Sequence, residues 1–236
     1  MAPDHHKSNN LISIGAMVTL VGFVLSGPAS FVIIRVVQPQ PNWVSPSVFV
    51  ENYHIIQDIP YYFGFLLIGG MLMVSAGHYL SETGKSKPVS RFHLLIALAW
   101  TIVFCALVSF NYISQISFVR NLAVNYKPEH DMAIATFSMA NPLSFCWANE
   151  MWAYGFLGIS TWLTASYYAN RNNLIRILMI ANGVLSLVGA VWTILDMGWV
   201  MTTAGLTGYF LWNVLMMFMM IAIYRDNRSS KQVSFT

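Results

Sequence analysis

An all-α, polytopic transmembrane helix bundle with six spans is the fold this sequence predicts, and three observations predict it. Charged residues make up only 9% of the chain and hydrophobic ones 56%, whereas roughly a quarter of a soluble domain is charged. Apolar stretches of about 20 residues or more, enough to cross a hydrocarbon core of about 30 Å, recur near 11–36, 60–80, 92–118, 147–169, 174–196 and 201–224. Basic residues sort by side. In a six-span arrangement Lys7, Lys85, Lys87, Arg91, Arg171, Arg176, Arg225, Arg228 and Lys231 share one face of the membrane and only Arg35, Arg120 and Lys127 the other, nine of twelve. The positive-inside rule then puts both termini in the cytoplasm. With a mean hydropathy of +0.57 the chain leaves no room for a separate soluble domain. Residues 1–236 are expected to form one membrane domain, with 225–236 as a flexible polar tail. The net charge of +3 is absorbed by this topology, so nucleic acid is not an expected partner.

Taken in order, the N-terminal MAPDHHKSNN precedes an apolar run too long for a signal-peptide core and without an A-x-A cleavage site, so retention is expected. Span one carries Gly27-Pro28, a pair that removes a backbone hydrogen bond and predicts a kink. The stretch after Arg35 is rich in proline and then in aromatic and amide groups, with Phe49, Tyr53 and Ile56 at helical spacing. It predicts a short helix lying at the outer interface. Pro60 suits the first turn of span two, where its missing N-H costs nothing. The basic turn SETGKSKPVSR belongs in the cytoplasm.

Span three places Asn111 and Gln115 one turn apart, and an amide facing lipid would cost several kcal/mol, about 4 to 8 by hydrocarbon transfer. That face therefore looks into the bundle, where interhelical hydrogen bonding is its ordinary use. The segment from Val124 to Cys146 predicts a second outer interfacial helix between Pro128 and Pro142. In span four Glu150, Tyr154, Gly158, Thr161 and Ala165 fall within an arc of about 80°. Asn182, Ser186, Gly189, Thr193 and Asp196 do the same in span five. Span six carries Asn213 and methionines at 216, 217, 219 and 220, which go round the helix and read as adaptable apolar packing rather than a copper path. QDIPYYFGFLL (57–67) and ANEMWAYGFLG (148–158) align without gaps, which suggests duplicated helical hairpins. Cys105 lies mid-span and Cys146 near the rim, too far apart for a disulfide.

The candidate ligand-binding residues gather near the outer end: Arg35, His54, Asp58, Arg120, Glu150 and Asp196, joined by Asn111, Gln115, Trp147 and Tyr154. Ionisable groups near membrane depth are expensive and mark substrate or ion sites when they converge. The competing reading is a rim of headgroup-level charges and an interfacial aromatic belt. Glu150 is the most constrained of them, since a carboxylate on a small-residue packing face loses water and must find a partner. Arg35 or Arg120 is the first expectation for that partner, Asn111 or Gln115 the second. Metal-ligand spacings are absent, His78 and His93 have no matching pair, and span six lacks a Schiff-base lysine, so no metal or cofactor is expected.

The polar, aromatic start of span four followed by YGFLG resembles the six-span bacterial integral membrane proteins of unknown function. The resemblance implies a six-span bundle in a bacterial plasma membrane and brings no site residue with it. Three functions fit the residues. The first is binding or sensing of a small apolar or amphipathic ligand in the outer half of the bundle. The others are a proton-coupled transporter using Glu150 or Asp196, and a membrane enzyme in which a carboxylic acid acts on a lipid or isoprenoid. The lipid bilayer is the one firm partner, and nothing points to a homo-oligomer.

Overall fold

The computed structural model describes residues 5–82 and 88–232; the described residues are 86% helical, with no strand among them. Its helices are α1 (His5–Val24), α2 (Ser30–Val37), α3 (Pro46–Glu51), α4 (Ile59–Ser81), α5 (Pro88–Ile113), α6 (Arg120–Val124), α7 (Asp131–Phe137), α8 (Phe145–Thr164), α9 (Asn173–Leu195) and α10 (Thr203–Gln232). Local chemistry sets several starts. Ser144 accepts from Trp147 N at 3.1 Å to cap α8, Asn172 accepts from Ile175 N at 3.3 Å to cap α9, and proline stands in the first turn of α4. The basic turn after α4 lies outside the described residues.

Among the described residues five stretches are long and apolar enough to cross a membrane: Lys7–Val37, Ile55–Ser81, Arg91–Val124, Asn173–Leu195 and Thr203–Arg228. The remaining expected span is α8, a 20-residue helix outside that set. Asn149, Glu150 and its aromatic amides and hydroxyls dilute its apolar content while leaving its length intact. The expected tail after Tyr224 is different too, since α10 continues to Gln232. Asn227 bonds the Ile223 carbonyl at 2.9 Å, Arg228 bonds the Tyr224 hydroxyl at 2.7 Å and Asp226 pairs with Arg171, which together keep that last stretch helical.

The six long helices close into a ring in chain order: α1 packs on α4, α4 on α5, α5 on α8, α8 on α9, α9 on α10, and α10 returns to α1. Phe104, Leu157, Trp212, Met216, Met219 and Met220 fill the core. The α1/α4 and α8/α9 seams are antiparallel and bring backbones together. In the first, Ile12 meets Gly77, Thr19 meets Gly70 and Gly22 meets Leu67; a Cβ on Gly22 would lie 2.4 Å from Leu67 N. In the second, Gly158 and Gly183 face each other, and a Cβ on either would lie within 2.9 Å of the other's carbonyl. Small residues permit this approach, the usual basis of tight packing between membrane helices. The α9/α10 seam is the most sparsely packed of the six.

Two π-turns interrupt the first and third long helices. The expected kink at Gly27-Pro28 takes the form of the π-turn Leu25–Ala29, which widens the helix around the proline while the Ser30 hydroxyl bonds the Leu25 carbonyl. A second, Ser114–Val119, contains no proline and was not foreshadowed by any helix breaker. The two sit at nearly the same offset as the two aligned GFL-containing segments, each preceding a short helix, α3 or α7. Those short helices pack on each other through Phe49 and Ile134, over Val119 and Ala123.

The seams give a direct test. Gly22→Val should overpack a backbone contact and cost about 3 kcal/mol or more. Gly69→Ala, where a Cβ meets nothing within 4 Å, should gain up to about 1 kcal/mol of helix propensity. Thermal unfolding of both variants in one detergent reads the difference; similar melting of the two would rule out backbone contact at α1/α4.

Candidate functional site

Glu150 stands in the second turn of α8 and is 5% exposed. Its partners come from the last turn of α5. Asn111, fully buried, donates Nδ2 to Glu150 Oε2 at 2.8 Å and to the Cys146 carbonyl at 2.8 Å, which uses both of its protons. Asn111 Oδ1 accepts from Asn149 Nδ2 at 2.7 Å, and Asn149 also reaches the Leu107 carbonyl at 3.1 Å. The Tyr112 hydroxyl donates to Glu150 Oε1 at 3.3 Å.

The arginines expected first as its partners do not bond it. Arg35 is exposed and lies over the Phe31 ring at 5.9 Å, and Arg120 reaches the Tyr62 hydroxyl at 3.4 Å. Arg35 stands exposed in the last turn of α2 and Arg120 half-buried at the start of α6, whereas Glu150 is bonded from the facing surface of α5. Gln115 is occupied elsewhere. Its Nε2 donates to the Phe137 carbonyl at 2.8 Å and its Oε1 accepts from Met139 N at 2.9 Å, clamping the turn after α7.

The rest of the expected outer cluster disperses. Asp196 is exposed and accepts from Gly198 N at 2.9 Å, shaping the turn after α9. His54 is exposed, and its Nδ1 accepts from Ile56 N at 3.2 Å to cap the turn Ile55–Asp58. Trp147 is half-buried, its indole N-H enclosed without a hydrogen-bond partner. Asp58 forms a second, separate centre: it is buried, accepts from the Tyr53 hydroxyl at 2.8 Å and lies within electrostatic reach of Arg120. Burial, then this bond to Asp58, holds the Tyr53 phenol above its ordinary range. With Gln57, Tyr61 and Gln115 these residues line a cavity of about 20 Å³, the size of about one water. The Tyr61 ring, 5.6 Å from Tyr112, stands between the two centres.

Behind Glu150 the structure opens. Tyr154, one turn further along α8, packs on Phe104 at 5.5 Å and edge-on to Trp212 at 4.9 Å. Its outer side lines a cavity of about 140 Å³ between α8, α9 and α10. Gly189 and Ala190 form its floor and Trp199, Tyr209 and Trp212 its walls, with Leu185 and Val188, both exposed, at its mouth. Hydrogen bonds fix the walls: Trp212 Nε1 donates to Ser186 Oγ at 3.0 Å and Trp199 Nε1 to Thr193 Oγ1 at 3.1 Å. The cavity is close in size to the ~150 Å³ in which an apolar cavity takes up benzene. Both expected small-residue stripes lie at this interface. Gly158 meets Gly183 and Ser186, and Asn182 donates to Thr161 at 3.0 Å; Glu150, which faces α5, and Asp196 fall outside.

At the opposite end of the bundle lies a network that metal-oriented reading of His78 missed. His78, fully buried, shares a 2.7 Å hydrogen bond with the Tyr168 hydroxyl and packs edge-on to Tyr167 and Tyr168. Arg171 lies over the Tyr167 ring at 5.2 Å and pairs with Asp226 at 3.2 Å, while Asn172 donates to Asp226 Oδ1 at 2.9 Å. The signal was the Tyr-Tyr doublet followed by Arg one turn on, which marks a cation over aromatic rings.

The geometry defines an all-α bundle with membrane-length helices, a buried carboxyl held by neutral donors, and an apolar cavity beside it. No family model, curated protein or solved structure matches the chain.

The carboxyl network is testable on its own. Asn111→Ala removes one hydrogen bond from each of Glu150 and Asn149 and frees the Cys146 carbonyl, and should cost up to about 3 kcal/mol, the scale of an under-satisfied buried polar group. Arg35→Ala should stay within about 1 kcal/mol of the parent, as an exposed charge does, and Arg120→Ala, at a half-buried residue beside Tyr62 and Asp58, should cost less than Asn111→Ala. Equal losses from Asn111→Ala and Arg120→Ala in detergent unfolding would restore the arginine pairing.

Proposed function

We propose that the protein is a six-span bacterial plasma-membrane protein that binds or senses a small apolar or amphipathic molecule in the outer half of its bundle. In this reading α8 is a span, both termini are cytoplasmic, and α3 and α7 lie at the outer interface. The observation that carries it is the shared residue: Tyr154 lines the apolar cavity on one side and stands beside Tyr112 and Glu150 on the other. A ligand's apolar body fills the space between α8, α9 and α10, and its polar end meets the Tyr154 hydroxyl. Few polar groups among apolar walls is the usual composition of such a site. Exposed Leu185 and Val188 at the mouth let the ligand arrive from the lipid side.

Glu150 does not line the cavity, which favours binding over acid catalysis on a lipid or isoprenoid. A proton-coupled transporter needs a water path to both faces, and the packed core of Phe104, Leu157 and the span-six methionines speaks for binding instead.

Gly208 gives the test, because it lines the cavity and a Cβ there meets nothing within 4 Å. Gly208→Phe should fill the space without strain, keep the melting temperature of the parent, and weaken uptake of fluorotoluene and fluorophenol, followed by fluorine NMR, by about tenfold or more. Tyr154→Phe should weaken fluorophenol selectively. Undiminished uptake of both probes by Gly208→Phe would exclude this cavity as the binding site.

A further inference from the structure

A second groove, of about 370 Å³, runs between α1 and α10 at the end of the bundle away from Glu150. Ile14, Met17 and Val18 form its apolar wall, Tyr224 and Arg228 its head, and Ser13 its inner side. Two of these residues have unused polar capacity. The Ser13 hydroxyl is buried, in a residue only 6% exposed, and makes no hydrogen bond. An unpaired hydroxyl at that depth is costly unless a partner arrives. Among the described residues Arg228 bonds the Tyr224 hydroxyl, at 2.7 Å, and lies over that ring at 5.8 Å. It has no carboxylate partner among the described residues, which leaves most of its guanidinium donors to an incoming anion.

We infer that this groove holds an anionic glycerophospholipid. Its phosphate sits on Arg228, an ester carbonyl accepts from the Ser13 hydroxyl, and an acyl chain lies along Ile14, Met17 and Val18. Arg228 lies about one helical turn, near 5.4 Å, beyond Tyr224 on α10, so the groove carries a cation at its head and an apolar wall along α1. Basic residues near a membrane surface are drawn to anionic lipids. The larger groove between α9 and α10, about 500 Å³, is a poorer phosphate site because Asp226 lines it beside Arg225. The α1/α10 groove carries no acid. This inference is independent of the ligand proposed for the outer cavity.

Native mass spectrometry of the full, delipidated chain with added phosphatidylglycerol, phosphatidylcholine or glycerol phosphate tests it. Phosphatidylglycerol should be retained about tenfold better than phosphatidylcholine, with Arg228→Gln removing that preference and Arg228→Lys keeping most of it. Arg176→Gln, an exposed charge on α9, should change nothing. Ser13→Ala supplies a readout of opposite sign: without lipid it should raise the melting temperature by removing an unpaired hydroxyl, and with phosphatidylglycerol it should reduce the lipid-induced rise. Equal retention of the two lipids by the parent, or unchanged preference in Arg228→Gln, overturns the inference. Retention of glycerol phosphate as strongly as phosphatidylglycerol overturns the lipid and leaves an anion site.

Discussion

Backbone contact along two glycine seams is the constraint on which the rest of the bundle depends. Where α1 meets α4 and α8 meets α9, a methyl group would collide with the partner's main chain, so each pair behaves as one thick, antiparallel unit. In lipid there is no hydrophobic force between apolar helices, and close approach of this kind supplies the dispersion contact that holds them. Helix α5 lies between the two units and contacts both. Its polar side chains therefore do the joining. Thr101 meets Ser160 at 2.7 Å near the middle of the bundle, and Asn111 meets Glu150 toward one end.

Much of this was legible from residue type and spacing. Periodicity placed the small residues of α8 and of α9 each on one face, while their meeting across one seam emerged from the packing, and Asn111 looks inward because an amide in lipid is too costly to leave unpaired. The carboxyl's partner was legible only in part. Rim arginines and interior amides both lay one helix away in sequence terms, and the choice between them turned on depth differences of a turn or less, about 5.4 Å. Asp196 was misplaced for the same reason: one residue past the end of α9 its side chain turns into the loop. The span count carried a similar ambiguity, since α8 has the length of a membrane helix but not the apolar content.

What sequence could not supply was the cavity. Tyr154, Gly189, Trp199 and Trp212 come from three helices and a connecting turn, and only the packing shows that a space remains beside them. The π-turn at Ser114–Val119 was equally hidden, because serines that bond their own helix carbonyls leave no proline or glycine behind as a marker. Its partner at Leu25–Ala29 was visible through Pro28 alone. Set side by side, the two turns extend the short GFL alignment into a likeness of whole hairpins, each rising through a π-turn and descending through an aromatic-rich helix.

The hydrogen bond between His78 and Tyr168 joins α4 to the end of α8, helices that α5 separates in the ring. A strut across the middle of a ring does what no seam between neighbours does: it fixes the diameter. Beside it the Arg171 and Asp226 pair ties the turn before α9 to α10. Toward the opposite end the ties named above run between neighbours in the ring, Asn111 to Glu150 among them, with Arg120 reaching Tyr62 on α4. The bundle is thus built like a cup with a rigid base, and any widening has to be borne at the brim, along the loosely packed side where α9 and α10 meet.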